Sequence, residues 1–163
     1  MSLFGGQRDI NLFHTINREL LGNIIEQKIG YYKINLDKTD SNIYGESTEK
    51  FYNPPVLFNC LIERGDTNTT DDDFGPDTTR DAVFMFLRLD LEESGIYPEN
   101  GDIILWNENY YEAHNINENQ YFVGKIPEYS LADSTNNFGS SFSIIVPTHY
   151  TRLERLNIVR DRL

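Results

Sequence analysis

Hydrophobic residues near the start of the chain recur at steps of three and four positions, which is the spacing of one face of an α-helix. Between residues 11 and 29 this set comprises Leu12, Phe13, Ile16, Leu20, Leu21, Ile24, Ile25 and Ile29. Gly30 follows and offers a C-terminal stop. The pattern predicts an amphipathic helix that either docks on the core of its own domain or packs on a neighbouring subunit.

After this helix the pattern changes to short apolar or alternating runs, which are typical of β-strands. They cover residues 31–36, 56–63, 80–87 and 141–148, and Pro147 is expected to mark the end of the last strand or a sheet edge. Residues 88–94 indicate a short helical turn that ends at Gly95.

The pattern between residues 101 and 125 indicates three short strands on polar turns. The strands are expected at residues 103–106, 110–114 and 121–123, with Asn-rich turns between them. Asparagine favours such turns because it tolerates left-handed backbone angles, and short turns join antiparallel neighbours. The sequence therefore predicts an antiparallel meander. Its aromatic side chains are candidates for core or interface packing: Trp106, Tyr110, Tyr111, Tyr121 and Phe122.

The segment between residues 64 and 79 is polar and is expected to be a long loop, a feature that is often functional. A calcium-binding EF-hand pattern fails there, because Asp71 replaces the glycine at the sixth position and Asp77 replaces the glutamate at the twelfth. Its carboxylates are instead candidates to contact a partner: Asp66, Asp71, Asp72, Asp73 and Asp77.

Taken together, these elements predict a mainly β fold, either an antiparallel β-barrel or a sandwich, with an N-terminal amphipathic α-helix. The 163 residues suit a single domain with two terminal arms, a flexible one at residues 1–8 and a second at residues 149–163. The second arm is helical or extended. Its candidate interface residues are Arg152, Arg155, Leu156, Val159, Arg160 and Arg162.

Charge and cysteine content narrow the classes of function. The net charge is −12, and residues 37–133 carry 6 basic and 21 acidic side chains, a net of −15. This acidity opposes ordinary nucleic-acid binding and suits either a solvated surface or protein partners with basic patches. The single cysteine, Cys60, excludes an internal disulfide and a cysteine zinc site, and it is expected to be buried. No apolar run approaches the ~18 residues of a membrane span, so we expect a soluble protein made in a cytoplasm.

The sequence carries no catalytic motif. Its histidines, His14, His114 and His149, lie on different predicted elements without metal-ligand spacing. The nucleophile-elbow and phosphate-loop patterns are absent. We expect neither an enzyme nor a bound cofactor or metal.

Three stretches carry a family resemblance. They are TDSNIYGES (39–47) with FYNPPVLFNCLIE (51–63), FMFLRLDLEESGIYPENGDIILWNENYYEAHNINENQYFVGK (84–125) and FGSSFSIIVPTHYTRLERLNIV (138–159). Together they resemble neck or head-completion structural proteins of T-even-like contractile-tailed bacteriophages. The most recognisable unit is Pro98, Gly101 and Asp102, then a short apolar strand, then Tyr111 and Glu112. A similar Gly-Asp unit occurs in small β-barrel head-closure proteins of other tailed phages.

The resemblance implies a virion structural protein without catalysis, assembled in the host cytoplasm. It implies a β-rich domain repeated in a cyclic homo-oligomer, a hexamer or dodecamer, that joins the DNA-filled head to the tail. Its partners would be further copies of itself, the portal-side connector and the tail-completion protein. The resemblance implies that the aspartates of residues 64–79 reach the lumen or a neighbouring ring, and that the genome passes through an acidic lumen without specific binding, because like charges repel.

Two other functions stay open at this point. One is a tail or baseplate adaptor of the same virion. The other is a β-sandwich module that binds a carbohydrate or peptide on an exposed aromatic platform of Trp106, Tyr110 and Tyr111.

Overall fold

The computed structural model describes residues 7–39, 49–72, 75–121, 141–153, 156 and 158. Helix α1 spans Gln7–Glu19 and continues into a π-helical turn at Leu20–Ile25, and helix α2 spans Arg88–Glu93. The strands are β1 (Lys28–Tyr32), β2 (Val56–Asn59), β3 (Leu61–Asp72), β4 (Gly75–Leu87), β5 (Ile103–Trp106), β6 (Asn109–Ala113), β7 (Asn117–Tyr121) and β8 (Ser141–Thr151).

The strands form one eight-stranded sheet with the order β2-β1-β5-β6-β8-β4-β3, and β7 pairs with β8 beside β6. Every strand pair is antiparallel. The prediction of a mainly antiparallel β fold with an N-terminal helix is therefore confirmed. The two ends of the strand order, β2 and β3, do not pair with each other, yet only Cys60 separates them along the chain.

One face of the sheet holds the main core. Alternation places every second side chain of a strand on this face, and both ends of the strand order contribute, with Phe58 from β2, Cys60 between the two strands and the half-buried Ile62 from β3. The remaining buried members are Ile29, Tyr31, Ala82, Phe84, Phe86, Leu91, Ile104, Tyr111, Ala113, Ile144 and Val146.

A second, smaller cluster lies on the opposite face of β1, β5 and β6. It contains Tyr32, Ile103, Leu105 and Tyr110. Three residues that follow β8 pack against it together with Tyr52, namely Leu153, Leu156 and Ile158. The segment after β8 therefore contributes to the core of its own chain.

The prediction of a long loop at residues 64–79 is wrong. The described part of it forms the two arms of a β-hairpin, in which β3 and β4 pair from Leu61–Met85 to Asp72–Gly75. A register shift between Arg64 and Thr67 bends the ribbon. β8 pairs with β4 only from Asp81 onward, so the outer part of the hairpin extends beyond the strands beside it. Threonine, which is β-branched, favours strands even in a polar sequence.

The meander prediction is confirmed for its first two strands and wrong for the third. β5 and β6 form a hairpin whose turn residues, Asn107 and Glu108, both have positive φ, 49° and 63°, as the twist of a two-residue hairpin requires. The third strand differs from the prediction, because it spans Asn117–Tyr121 and pairs with β8 instead of β6.

Pro147 lies inside β8 and not at its end. The Pro147 carbonyl accepts the His114 N–H at 3.3 Å, at the point where the chain passes from β6 to β7. Proline has no backbone N–H to donate, and no N–H of β8 is needed where its neighbour changes from β6 to β7. This explains why an interior strand tolerates Pro147. β8 consequently continues through His149, Tyr150 and Thr151.

Candidate interaction surface

Helix α1 and the π-helical turn carry an apolar face that is exposed. Five of these side chains retain between 40% and 74% of their full exposure and recur at helical spacing along one face. We call this face the apolar stripe; it consists of Leu12, Phe13, Ile16, Leu20 and Ile24. Docking of this face on the protein's own core, one of the two alternatives left open by the sequence, is therefore wrong.

The face of α1 that points toward the domain is mainly polar. It lines a cavity of about 570 Å³ beside the end of β4 and the start of α2. The lining residues are Asn11, His14, Thr15, Arg18, Glu19, Gly22 and Asn23 from the helix, and Leu87, Leu89 and Asp90 from the domain. The helix thus has the reverse of the usual orientation, in which apolar residues face the core.

A small number of contacts hold the helix in this orientation. Arg18 Nη2 lies 2.6 Å from Asp90 Oδ1 and also pairs with Glu93, and this ion pair lowers the pKa of Glu93. His14 stacks on Phe142 with 4.6 Å between ring centroids. Leu21 is the buried residue of the π-helical turn. Solvent screens exposed ion pairs and leaves them a small contribution to stability, so the helix is held lightly.

The helix ends earlier than the sequence predicts, because Ile29 and Gly30 belong to β1 and are buried there. The turn is closed by Glu26, whose φ is 50° and whose N–H donates to the Leu21 carbonyl at 3.0 Å. This i to i+5 bond is the π-helical pattern, which often occurs at functional sites. Ile29 is a core residue and not part of the helix face.

Two further exposed apolar side chains, Leu57 and Leu61, lie on β2 and β3, and Leu57 adjoins the π-helical turn. Leu57 and Leu61 are 57% and 44% exposed and alternate with the buried Phe58 and Cys60. Leu57 and Leu21 line the same small cavity of about 250 Å³ between the turn and β2. We call Leu57 and Leu61 the edge patch; β2 is an end of the strand order.

The Gly-Asp unit forms a buried polar junction. Asp102 is completely buried, and its carboxylate accepts hydrogen bonds from the Tyr31 hydroxyl, Lys33 Nζ and two backbone N–H groups, those of Ile34 and Glu99. The four donors satisfy the carboxylate, so this aspartate ties β1 to the turn before β5. Sequence reasoning singled out the unit by resemblance but missed its structural role.

The structure separates the aromatic residues proposed as a platform. Tyr110 and Tyr111 are both buried, and as neighbours in β6 they point to opposite faces of the sheet. Trp106 is half-buried against the main core, where its ring contacts Phe84 and Tyr111. These three residues therefore do not make one exposed platform. The backbone of Tyr121 lies in β7, whereas its side chain and Phe122 lie outside the described residues.

The structure describes the other predicted site residues only in part. Asp66, Asp71, Asp72 and Asp77 lie in the β3–β4 hairpin by their backbone, and their side chains and Asp73 lie outside the described residues. Arg152 is exposed, whereas Leu156 packs on the second cluster. The remaining arm candidates, Arg155, Val159, Arg160 and Arg162, lie outside the described residues.

The part of the chain that the structure describes brings together no group of three or more His, Cys, Asp or Glu residues that could hold a metal ion. No helix in that part is long and apolar enough to cross a membrane. Burial raises the pKa of the Cys60 thiol to about 12, which suits a packed side chain and not a nucleophile.

In comparisons with known proteins, no family model and no curated protein matches this chain.

Proposed function

We propose that this protein is a structural component of a phage neck, where it joins the DNA-filled head to the contractile tail as a homo-oligomeric ring without catalysis. The observation that carries the proposal is the apolar stripe, which is exposed. A contiguous exposed apolar surface marks a contact with another macromolecule, since water-exposed apolar area is unfavourable. The family resemblance supplies the identity of the assembly.

The sheet supports a compact, ring-forming unit. We infer a barrel in preference to a sandwich, because the strands at the two ends of the sheet are joined through the single residue Cys60. Side chains from both ends meet in the same main core. Such a barrel leaves its helix and its long hairpin free for contacts between subunits.

The β3–β4 hairpin supports the proposal in a second way. Its outer part extends past β8 as a two-stranded ribbon, and its sequence carries the five aspartates between residues 66 and 77. In a ring, this ribbon would reach the lumen or the next ring. An acidic ribbon in the lumen would repel DNA phosphates and let the genome pass.

Native mass measurement tests the oligomer, and labelling of the particle tests its place. We expect the purified protein to assemble when it is mixed with the portal-side connector and tail-completion proteins of the same genome. Labelled copies should then lie at the head–tail junction in electron micrographs. Binding at the baseplate would support an adaptor in the tail, and a monomer that ignores all of these partners would overturn both virion functions.

A matched pair of variants shows whether the stripe is the contact. Ile16→Lys places a charge in the apolar stripe, whereas Leu36→Lys makes the same kind of change at an exposed apolar residue outside it. We expect only Ile16→Lys to prevent assembly. Circular dichroism should show both variants folded, because both side chains are exposed in the wild type.

A further inference from the structure

We propose that helix α1 is a detachable strap, which swings away from the domain about the π-helical turn when its ion pairs with α2 are broken. The sheet stays folded during this movement. Charge therefore controls whether the helix is held or released. The inference goes beyond the proposed neck function, because it concerns the motion of one helix in the isolated chain.

The fixed end of the strap is tied to the sheet just after the π-helical turn. Gln27 accepts two hydrogen bonds, one from the Cys60 N–H to its carbonyl at 3.1 Å and one from Trp106 Nε1 to its side chain at 3.3 Å. Two residues further on, Ile29 is completely buried in the main core. Leu21, within the turn, is also buried. The movement must therefore begin on the N-terminal side of Leu21.

The π-helical turn is suited to act as the pivot. Glu26 closes the turn with a φ of 50°, a left-handed conformation that is uncommon for residues other than glycine, and with an i to i+5 bond to the Leu21 carbonyl. Hinges lie at the ends of elements, where a few residues absorb the change in φ and ψ. Because the 13 residues of α1 span about 20 Å, rotation at the turn displaces the far end of the helix most.

The moving part of the strap is held through charged and aromatic contacts. His14 and Arg18 lie four residues apart and therefore share one side of the helix. Arg18 Nη2 lies 2.6 Å from Asp90 Oδ1 and also pairs with Glu93, and His14 stacks on Phe142. The side chains of Arg18 and Glu93 are 51% and 61% exposed, so dissolved salt screens their attraction.

The interface beneath the strap is not closely packed. The cavity of about 570 Å³ and the smaller one of about 250 Å³ both lie along it, and Arg18, Gly22 and Asp90 line both of them. Close-packed protein interiors contain few voids larger than a water molecule. His14 Nδ1 is buried and has no hydrogen-bond partner among the described residues, and opening would give it water. Release of the helix therefore sacrifices little packing and hydrates a buried polar atom.

A distance measurement between two spin labels tests the movement. One label is attached to Arg8→Cys near the far end of α1 and the other to Asn100→Cys in the turn before β5, and both positions are exposed. The native Cys60 stays unlabelled, because it is buried and burial raises the pKa of its thiol to about 12. We expect one narrow distribution of distances in dilute buffer and a second, broad population in about 1 M salt, where the screening length is only about 3 Å.

Charge reversal tests the ion pairs themselves. Arg18→Glu turns the attraction to Asp90 and Glu93 into repulsion, so it should raise the ratio of open to closed molecules in dilute buffer about fivefold or more. Adding Glu93→Arg should restore much of the narrow distribution, because the two charges are exchanged. Lys50→Glu is the matched control, since it reverses the charge of an ion pair with Glu112 that involves neither helix.

A single narrow distribution in the unsubstituted helix at high salt, or in Arg18→Glu, would overturn the inference. Equal opening in Lys50→Glu, or failure of Glu93→Arg to restore closure, would overturn the assignment of the ion pairs as the control. Circular dichroism of the labelled protein at high salt should retain its β-sheet signal, and loss of that signal would mean that the domain unfolds and no strap is released. All of these measurements use the isolated chain, so they are independent of its place in a particle.

Discussion

The Tyr31 hydroxyl donates a hydrogen bond to Asp102 Oδ2 across 2.6 Å, and both side chains are completely buried. The bond joins β1 to the turn that precedes β5. Burial, followed by the nearby Asp102 carboxylate, raises the pKa of Tyr31, so the hydroxyl keeps its proton and donates it at neutral pH.

We predict that Asp102→Ala destabilises the protein far more than Tyr31→Phe. The alanine leaves Tyr31, the Lys33 ammonium and two backbone N–H groups without their shared acceptor, at a cost of about 3–5 kcal/mol. Tyr31→Phe removes one donor and should cost about 1–2 kcal/mol. Urea unfolding measures both, and equal losses would contradict a shared acceptor.

We predict that Trp106→Ala lowers the free energy of unfolding by about 2–3 kcal/mol. The half-buried indole packs edge-on against Phe84 with 6.2 Å between ring centroids, and Arg64 lies 4.8 Å above its ring. Trp106 Nε1 also donates to Gln27 Oε1 at 3.3 Å. A loss below about 1 kcal/mol would mean that the indole makes no effective packing contact.

The control for this prediction is Arg64→Ala, which removes the cation above the ring and leaves the packing on Phe84. An exposed cation–π contact contributes about 0.5–1 kcal/mol, so this variant should lose less than Trp106→Ala does. Thermal unfolding followed by circular dichroism suits both variants.

We predict that the double variant Leu153→Ala, Leu156→Ala lowers stability by about 2–4 kcal/mol in the isolated protein. Both leucines pack on the cluster around Tyr32 and Tyr110, and they are joined by a backbone hydrogen bond of 2.9 Å. The neighbouring Arg152 is exposed, and Arg152→Ala should change stability by less than about 0.5 kcal/mol. An unchanged melting temperature in the double variant would mean that the segment acts only between subunits.

We predict that His14 contributes to a loss of stability in mild acid. Burial lowers the pKa of His14 below its usual 6.5; Asp90 and Glu92 oppose this shift, and Arg18 adds to it. The unfolded chain therefore takes up a proton near pH 6.5 before the folded protein does, and stability falls as the pH drops through that value. His14→Gln should reduce the difference between unfolding free energies at pH 7.5 and pH 5.5. An undiminished difference would contradict the prediction.

Much of the β structure could be predicted because strands with one buried face follow simple alternation. The apolar run at residues 103–106 and the Asn-containing turn after it correspond to β5 and its hairpin. The outer β3–β4 hairpin could not be predicted in this way, since its residues are polar and its pairing is made by backbone hydrogen bonds. The threonines in this hairpin, which favour β-strands, were the signal that the sequence offered.

The helix shows a different limit of sequence reasoning. Steps of three and four residues correctly predict that Leu12, Ile16 and Leu20 share one face. They carry no information on what covers that face, and the orientation is set by remote partners such as Asp90 and Glu93 on α2. A periodic pattern identifies an amphipathic helix equally well whether its apolar face meets its own core or another protein.

The position of β8 governs when the nascent chain can fold. Among the described strand pairs, β8 alone links the β2-β1-β5-β6 half of the strand order to the β4-β3 half by backbone hydrogen bonds, and the ribosome makes it after every other described strand. Until it emerges, each half presents an open strand edge, a site where unfolded chains aggregate or chaperones bind. Synthesis must therefore pass residue 151 before the two halves can unite, so folding of this sheet is completed after, and not during, translation of its first seven strands.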